Sequence, residues 1–204
     1  LEVPKDELTS LERTTLYGKG QSVDRIPASL DGGETMSYLV GAGIDEYYFS
    51  SEIMFNVEKY IHEKFGSDSV GISTSLRGMA EAMGAKVKYS DYSVALLEKP
   101  AFSLKEVDKA KLVNVDEDGR LPIILKAVEM VKKKLGDKVP VSGTVTGPFT
   151  IAAMTVGTEE LLIGTRKNPE KVHQLMEVIV ENNNRLIKRL VEMGVDSICI
   201  KDMA

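Results

Sequence analysis

Residues 168–200 read NPEKVHQLMEVIVENNNRLIKRLVEMGVDSICI, and this stretch contains a whole helix-to-strand step. Asn168 suits an N-cap and Pro169 the first helical position. Val172, Leu175, Met176, Ile179, Leu186, Ile187 and Leu190 then recur at helical spacing up to Gly194. Val195 to Ile200 is apolar and too short for a helix, so it predicts a buried strand. A long amphipathic helix feeding such a strand is the repeating unit of an α/β fold with a largely parallel sheet.

The same grammar recurs upstream. Lys138 to Val145 predicts a strand stopped by Gly147-Pro148, and Thr158, followed by Glu159 and Glu160, predicts the cap of a short helix reaching Gly164. Leu121, Ile124, Ala127, Val128, Val131 and Leu135 mark a helix whose last turn carries Lys132, Lys133 and Lys134 against the negative end of its dipole. Between Asp45 and Phe65 the apolar residues Ile53, Val57, Tyr60, Ile61 and Phe65 predict another helix, closed by Gly66. Val70 to Ser73, Lys86 to Tyr89 and Val94 to Leu97 are β-prone, with a helical turn over Met79 to Met83. Arg25 to Leu30, ending in Asp31-Gly32-Gly33-Glu34, predicts the first strand. The sum is about four βα steps, half of an eightfold barrel. Lys201-Asp202-Met203-Ala204 follow the last strand directly with no helix to cover it, so the expected unit is a partial barrel domain over 1–204, incomplete as a single chain.

Composition narrows the function. The 204 residues are 43% hydrophobic and 28% charged, as in a folded globular protein, with a net charge of −5 that disfavours nucleic acid and anionic lipid. No window approaches a membrane span, and Leu1 to Ser10 has no apolar export core, so the expected location is cytoplasmic. The single cysteine, Cys199, is expected to be inert packing between Ile198 and Ile200, and the methionines, Met54 and Met176 among them, core filler. Gly41-Ala42-Gly43 is not a dinucleotide loop, because Glu46 replaces the third glycine and no strand leads into it.

Five stretches carry a resemblance: Val23-Asp24-Arg25-Ile26-Pro27, Phe65-Gly66-Ser67-Asp68-Ser69-Val70, Ala80-Glu81-Ala82-Met83-Gly84-Ala85, Gly147-Pro148-Phe149-Thr150-Ile151-Ala152 and Gly194-Val195-Asp196-Ser197-Ile198. In this order they resemble the first part of the uroporphyrinogen decarboxylase superfamily. That resemblance implies the N-terminal half of a (β/α)8 TIM-type barrel. It also implies, from the methyltransferase branch, transfer of a methyl group from a methylcobamide (corrinoid) to a thiol such as coenzyme M. The partners implied are a corrinoid protein or a missing C-terminal half-barrel, and a small-molecule thiol. Zinc is implied as well, held in that branch by a His-x-Cys pair and a further Cys. This chain has no His-x-Cys, and His62, His173 and Cys199 lack ligand spacing, so no metal ligand is assigned. His62 is expected at the surface near a helix end, and His173 likewise. The decarboxylase branch carries an arginine-rich segment for the substrate carboxylates, whereas this chain reads Asp31-Gly32-Gly33-Glu34-Thr35-Met36 after its predicted first strand. Decarboxylation of uroporphyrinogen is therefore the alternative, and a noncatalytic half-barrel binding a corrinoid protein is a third reading.

Barrel active sites form from loops after the strands' C-terminal ends. By that rule the substrate- or cofactor-facing candidates are Asp31 and Glu34, then Thr146, Gly147, Pro148 and Phe149, then Lys201 and Asp202. Each also has a structural reading. Asp31 can form an Asp-Gly turn, Pro148 can end a strand and Phe149 can fill core, while Lys201 and Asp202 can pair with each other or sit at a solvated terminus.

Overall fold

A computed structural model describes residues 6–203. Helix α1 (Ser10–Gly18) starts at a capping box in which the Thr9 hydroxyl accepts from Glu12 N–H and the Glu12 carboxylate accepts from Thr9 N–H. After an irregular stretch and a 3-10 turn over Glu34–Val40 come α2 (Ile44–Phe49) and α3 (Ser51–Phe65). The periodicity predicted one helix here. Ser50 divides it, sitting extended and accepting Ile53 N–H with its hydroxyl.

Strand β1 (Val70–Ser73) is followed by α4 (Gly78–Ala82), the hairpin β2 (Lys86–Lys88) and β3 (Leu96–Lys99), a 3-10 turn over Leu104–Lys109, and α5 (Leu121–Leu135). Strand β4 (Val141–Thr146) leads into α6 (Pro148–Val156), α7 (Thr158–Lys167), α8 (Pro169–Glu192) and β5 (Ser197–Lys201). The main sheet is parallel in the order β1-β4-β5, with Val70 opposite Val141 and Ser142 opposite Ser197. It is therefore built from two crossovers, not four βα steps, because β2 and β3 pair antiparallel with each other as a separate ribbon.

The outer face of the sheet is dry. Val141 and Val145 are fully buried beside α5 and α8, whose Ile124, Val128 and Val131, and Leu175, Ile179 and Leu190, complete the core with Val57 and Ile61 of α3. The inner face is open. Strand β5, predicted buried, is exposed along most of its length, Ile200 at 58% and Cys199 included, so the expectation of an inert packed thiol is corrected. Among the described residues only β4 pairs with β5, and the sheet is an open arc of a TIM-type barrel rather than a closed one.

Arg25 to Leu30 forms no strand. It runs extended beside the start of β1, where Asp68 N–H donates to Ala28 carbonyl and Leu30 N–H donates to the Ser67 hydroxyl. Farther along the same strand, Gly71 N–H donates to the Glu58 carboxylate at 3.0 Å. Two helix starts also differ from expectation. Thr158 is the first residue of α7 rather than its cap and the helix continues to Lys167, while α6 begins at the very Pro148 that reads as a strand stop.

Candidate functional site

A cleft of about 360 Å³ lies on the inner face of the sheet, roofed by the segment from Ser29 to Glu34. Its floor follows from strand alternation. On β4 the core-facing valines alternate with half-buried Ser142 and Thr144, which face the cleft with Ser73 of β1 and Cys199 and Lys201 of β5. The lining is hydroxyl-rich.

Three carboxyls stand around it. Glu34 accepts a hydrogen bond from the Tyr48 hydroxyl at 3.0 Å, and that hydroxyl in turn accepts Ala95 N–H at 3.1 Å. Asp31 accepts a hydrogen bond from Lys201 Nζ at 2.7 Å across the mouth, a contact that raises the ammonium's pKa. Both partners are well exposed, so this bridge orients side chains more than it stabilises the fold. Glu58, on the inward face of α3, is 1% exposed. Burial lifts its carboxyl to about 7, Gly71 N–H pulling the other way and the charge of Asp31 adding to the rise. Gly32 packs directly against it: a Cβ there would fall 2.5 Å from Glu58 Oε1 and 2.6 Å from Ile61 Cδ1.

The remaining predicted residues form a second cluster at the end of β4. Asp202 caps α6 from the far strand: its Oδ1 accepts Thr150 N–H at 3.0 Å and the Thr150 hydroxyl at 2.7 Å, and Oδ2 accepts Phe149 N–H at 3.3 Å. Burial works to raise its pKa, but the bonds from Thr150, Phe149 and Met203 outweigh it and hold the carboxyl below the ordinary value. Gly147 donates to Lys201 carbonyl at 2.7 Å and lies so close that a Cβ would fall 2.2 Å from Asp202 Cγ. Thr146 is buried, donating to Ser75 carbonyl at 2.8 Å, and Pro148 and Phe149 open α6. Asp31, Glu34 and Lys201 thus line one cleft, whereas Thr146, Gly147, Pro148, Phe149 and Asp202 are not among its lining residues and cluster at the end of β4 and the start of α6. Replacing Asp202 with Ala is expected to cost about 0.5–2 kcal/mol. In urea unfolding that deficit is present above the ordinary aspartate pKa and fades as pH falls through the depressed one, because only the ionised cap is lost.

Sequence reasoning missed Glu58 and Arg120. Arg120 is buried between the Tyr48 and Tyr89 rings, at 4.9 and 5.1 Å from their centroids. Its Nε donates to Glu81 at 2.9 Å and to the Tyr89 hydroxyl, and Nη2 reaches the Ser75 hydroxyl at 3.3 Å, which ties this stack to the cleft's rim. The residues do not fit a zinc ion. Among those described, no group of three His, Cys, Asp or Glu stands close enough to hold a metal. His62, half-buried instead of at the surface, has Nδ1 at 3.0 Å from Ser67 carbonyl oxygen, and His173 is exposed on α8.

A parallel-sheet arc with a polar cleft along its inner face defines the class: a partial α/β barrel. The chain belongs to the uroporphyrinogen decarboxylase (URO-D) family, whose model matches residues 9–204. It is 29% identical over 202 residues to the methylcobamide:CoM methyltransferase MtbA of Methanosarcina mazei, covering 96% of this chain and 59% of that protein. It is 31% identical over 148 residues to the uroporphyrinogen decarboxylase of Chlorobaculum tepidum, covering 67% of this chain and 40% of that one. A solved methyltransferase from Methanosarcina mazei superposes with a TM-score of 0.83 at 26% identity, over 96% of this chain and 59% of that structure. The chain therefore spans well under two thirds of the length of these relatives. Among the described residues, no helix is long and apolar enough to cross a membrane.

Proposed function

We propose that the chain is part of a methyltransferase that moves a methyl group from a methylcorrinoid, presented by a corrinoid protein, to a small thiol held in the cleft. One observation supports this reading: similarity to a methylcobamide:CoM methyltransferase extends over 96% of the chain, whereas that to three uroporphyrinogen decarboxylases covers 67% to 75%. The cleft agrees with it. Asp31, Glu34 and Glu58 would repel a polycarboxylate substrate, and the cleft's basic group, Lys201, is paired with Asp31.

In the transfer the thiol gives its proton to solvent and the thiolate sulfur attacks the methyl carbon. The S–C bond forms as the Co–C bond breaks, and the electron pair of that bond stays on cobalt. The chain's share is to bind and orient the thiol between the hydroxyls of β1 and β4 and the Asp31–Lys201 lip. The open face at β5 is where a corrinoid protein or the complementary half of a barrel would complete the site.

Incubating the chain together with the complementary half of the barrel, methylcobalamin and small thiols, with and without added zinc, tests this. Loss of the Co–C absorption together with the methyl thioether in the mass spectrum is the expected result. Decarboxylation of uroporphyrinogen without methyl transfer would overturn it. The second reading is a noncatalytic half-barrel, whose mark is tight binding of a corrinoid protein with neither reaction.

A further inference from the structure

The fold does not account for one oxygen of Glu58. Its Oε2 is satisfied by Gly71 N–H, but Oε1 is fully buried and has no hydrogen-bond partner. A buried carboxyl oxygen left unpaired is costly, and a glutamine would hold Gly71 equally well without the charge. The residue forms part of the cleft wall, and Oε1 lies directly beneath Gly32 of the segment that roofs the cleft, so an N–H that reaches it enters where Gly32 now packs.

The charge of that space selects the ligand. Asp31, Glu34 and Glu58 line it, and among the described lining residues Lys201 is the basic one, its ammonium already on Asp31. An anionic group entering would be repelled, while an ammonium group would meet an acceptor of opposite sign. Ser73, Ser142 and Thr144 supply hydroxyls that accept either.

We infer that the cleft takes a small thiol bearing an ammonium group, with Glu58 Oε1 accepting an N–H of that group. The sulfur end rests on the function proposed above, and the ammonium end rests on Glu58 and the cleft's charge alone. An aminothiol is then preferred to a thiol carrying a sulfonate. Because Glu58 must be ionised to hold the cation, and burial raises its carboxyl to about 7, affinity increases as pH climbs through that value. The charged and titratable groups of the surrounding elements are Asp31, Glu34, Tyr47 of α2, and Cys199 and Lys201 of β5. Lys134 of α5 is committed to the Phe55 ring at 4.5 Å.

Three probes share one thioethyl frame: 2-aminoethanethiol, 2-mercaptoethanol and 2-mercaptoethanesulfonate, with ethanolamine as the thiol-free control. Titrations of the purified chain followed by amide NMR should give 2-aminoethanethiol an affinity at least about tenfold above that of the sulfonate at pH 8. Ethanolamine should keep most of that preference and shift the Gly32 and Gly71 signals. Glu58→Gln should remove the preference while leaving the rest of the spectrum in place. Should that variant not fold, the wild-type pH series decides, with ammonium affinity rising about tenfold from pH 6 to pH 8. Equal or tighter sulfonate binding, a flat pH series, or a preference surviving in Glu58→Gln would overturn the inference. Ethanolamine binding without any methyl transfer would support the ammonium site while the methyl-transfer reading fails. Methyl transfer without ethanolamine binding would do the reverse.

Discussion

Arg13→Met is expected to weaken the fold by about 3–5 kcal/mol, the largest single loss among the substitutions considered. The guanidinium is 0% exposed. Its Nε and Nη2 fork the two oxygens of Asp24 at 2.7 Å, Nη1 donates to Asp68 at 2.6 Å and Nη2 also donates to Leu8 carbonyl at 2.7 Å. Asp68, likewise without exposed side-chain surface, also accepts from Arg25 and from Ala28 N–H, and Asp24 accepts Glu7 and Leu8 N–H. Removing the cation strands these acceptors together, whereas isosteric loss of one exposed ion pair costs little. Hydrogen bonds from Arg13 hold Asp24 well below the ordinary carboxylate range. For Asp68 burial pushes upward, but the bonds from Arg25, Ala28 and Arg13 prevail and its pKa is lowered too. Folded pKa values depressed in this way contribute stability above the unfolded value and lose it as pH falls through the folded one. The variant should therefore differ most from wild type at neutral pH and converge with it in strong acid. Urea unfolding at pH 7 showing a deficit below about 1 kcal/mol would refute the account.

The network also explains which parts of the fold the sequence could disclose. Val70–Ser73, the helix at Leu121–Leu135 and the long helix after Asn168-Pro169 were legible because local periodicity and capping determine them. Arg25 to Leu30 has the alternation of a strand, but strand pairing depends on a partner edge, and its Ala28 and Leu30 N–H groups go to the Asp68 and Ser67 side chains instead. Helix α6 was hidden because its cap, Asp202, arrives from another strand and leaves no local mark beside Pro148. In the cleft, Asp31, Glu34 and Lys201 could be read from their place after predicted strands. Glu58 could not be read that way, though a signal existed: it is a carboxyl among Met54, Val57 and Ile61 on the buried stripe of its helix. Ser142 and Thr144 alternating with Val141 and Val145 were a second such sign, of a strand with one face turned away from the core.

That misplaced carboxyl sets the second large effect. Wild-type stability should fall by on the order of 3 kcal/mol as pH rises from about 4.5 to about 7, and then level off, through Glu58 alone. In the unfolded chain the residue titrates near 4.5, while burial holds the folded carboxyl near 7. Between those values the folded state binds a proton that the unfolded state has released, so each rise in pH favours unfolding. This sign is opposite to that of Asp24, Asp68 and Asp202, whose lowered values act in a more acid window, so the two contributions separate along the pH axis. Glu58→Gln keeps a carbonyl oxygen for Gly71 N–H and has nothing to ionise. Its unfolding free energy, measured in urea at pH 5, 6, 7 and 8, should lack the neutral decline, and above pH 7 it should exceed that of the wild type. Parallel pH profiles for the two proteins would mean that the carboxyl is already paired, and would remove the physical basis for a cation-accepting cleft.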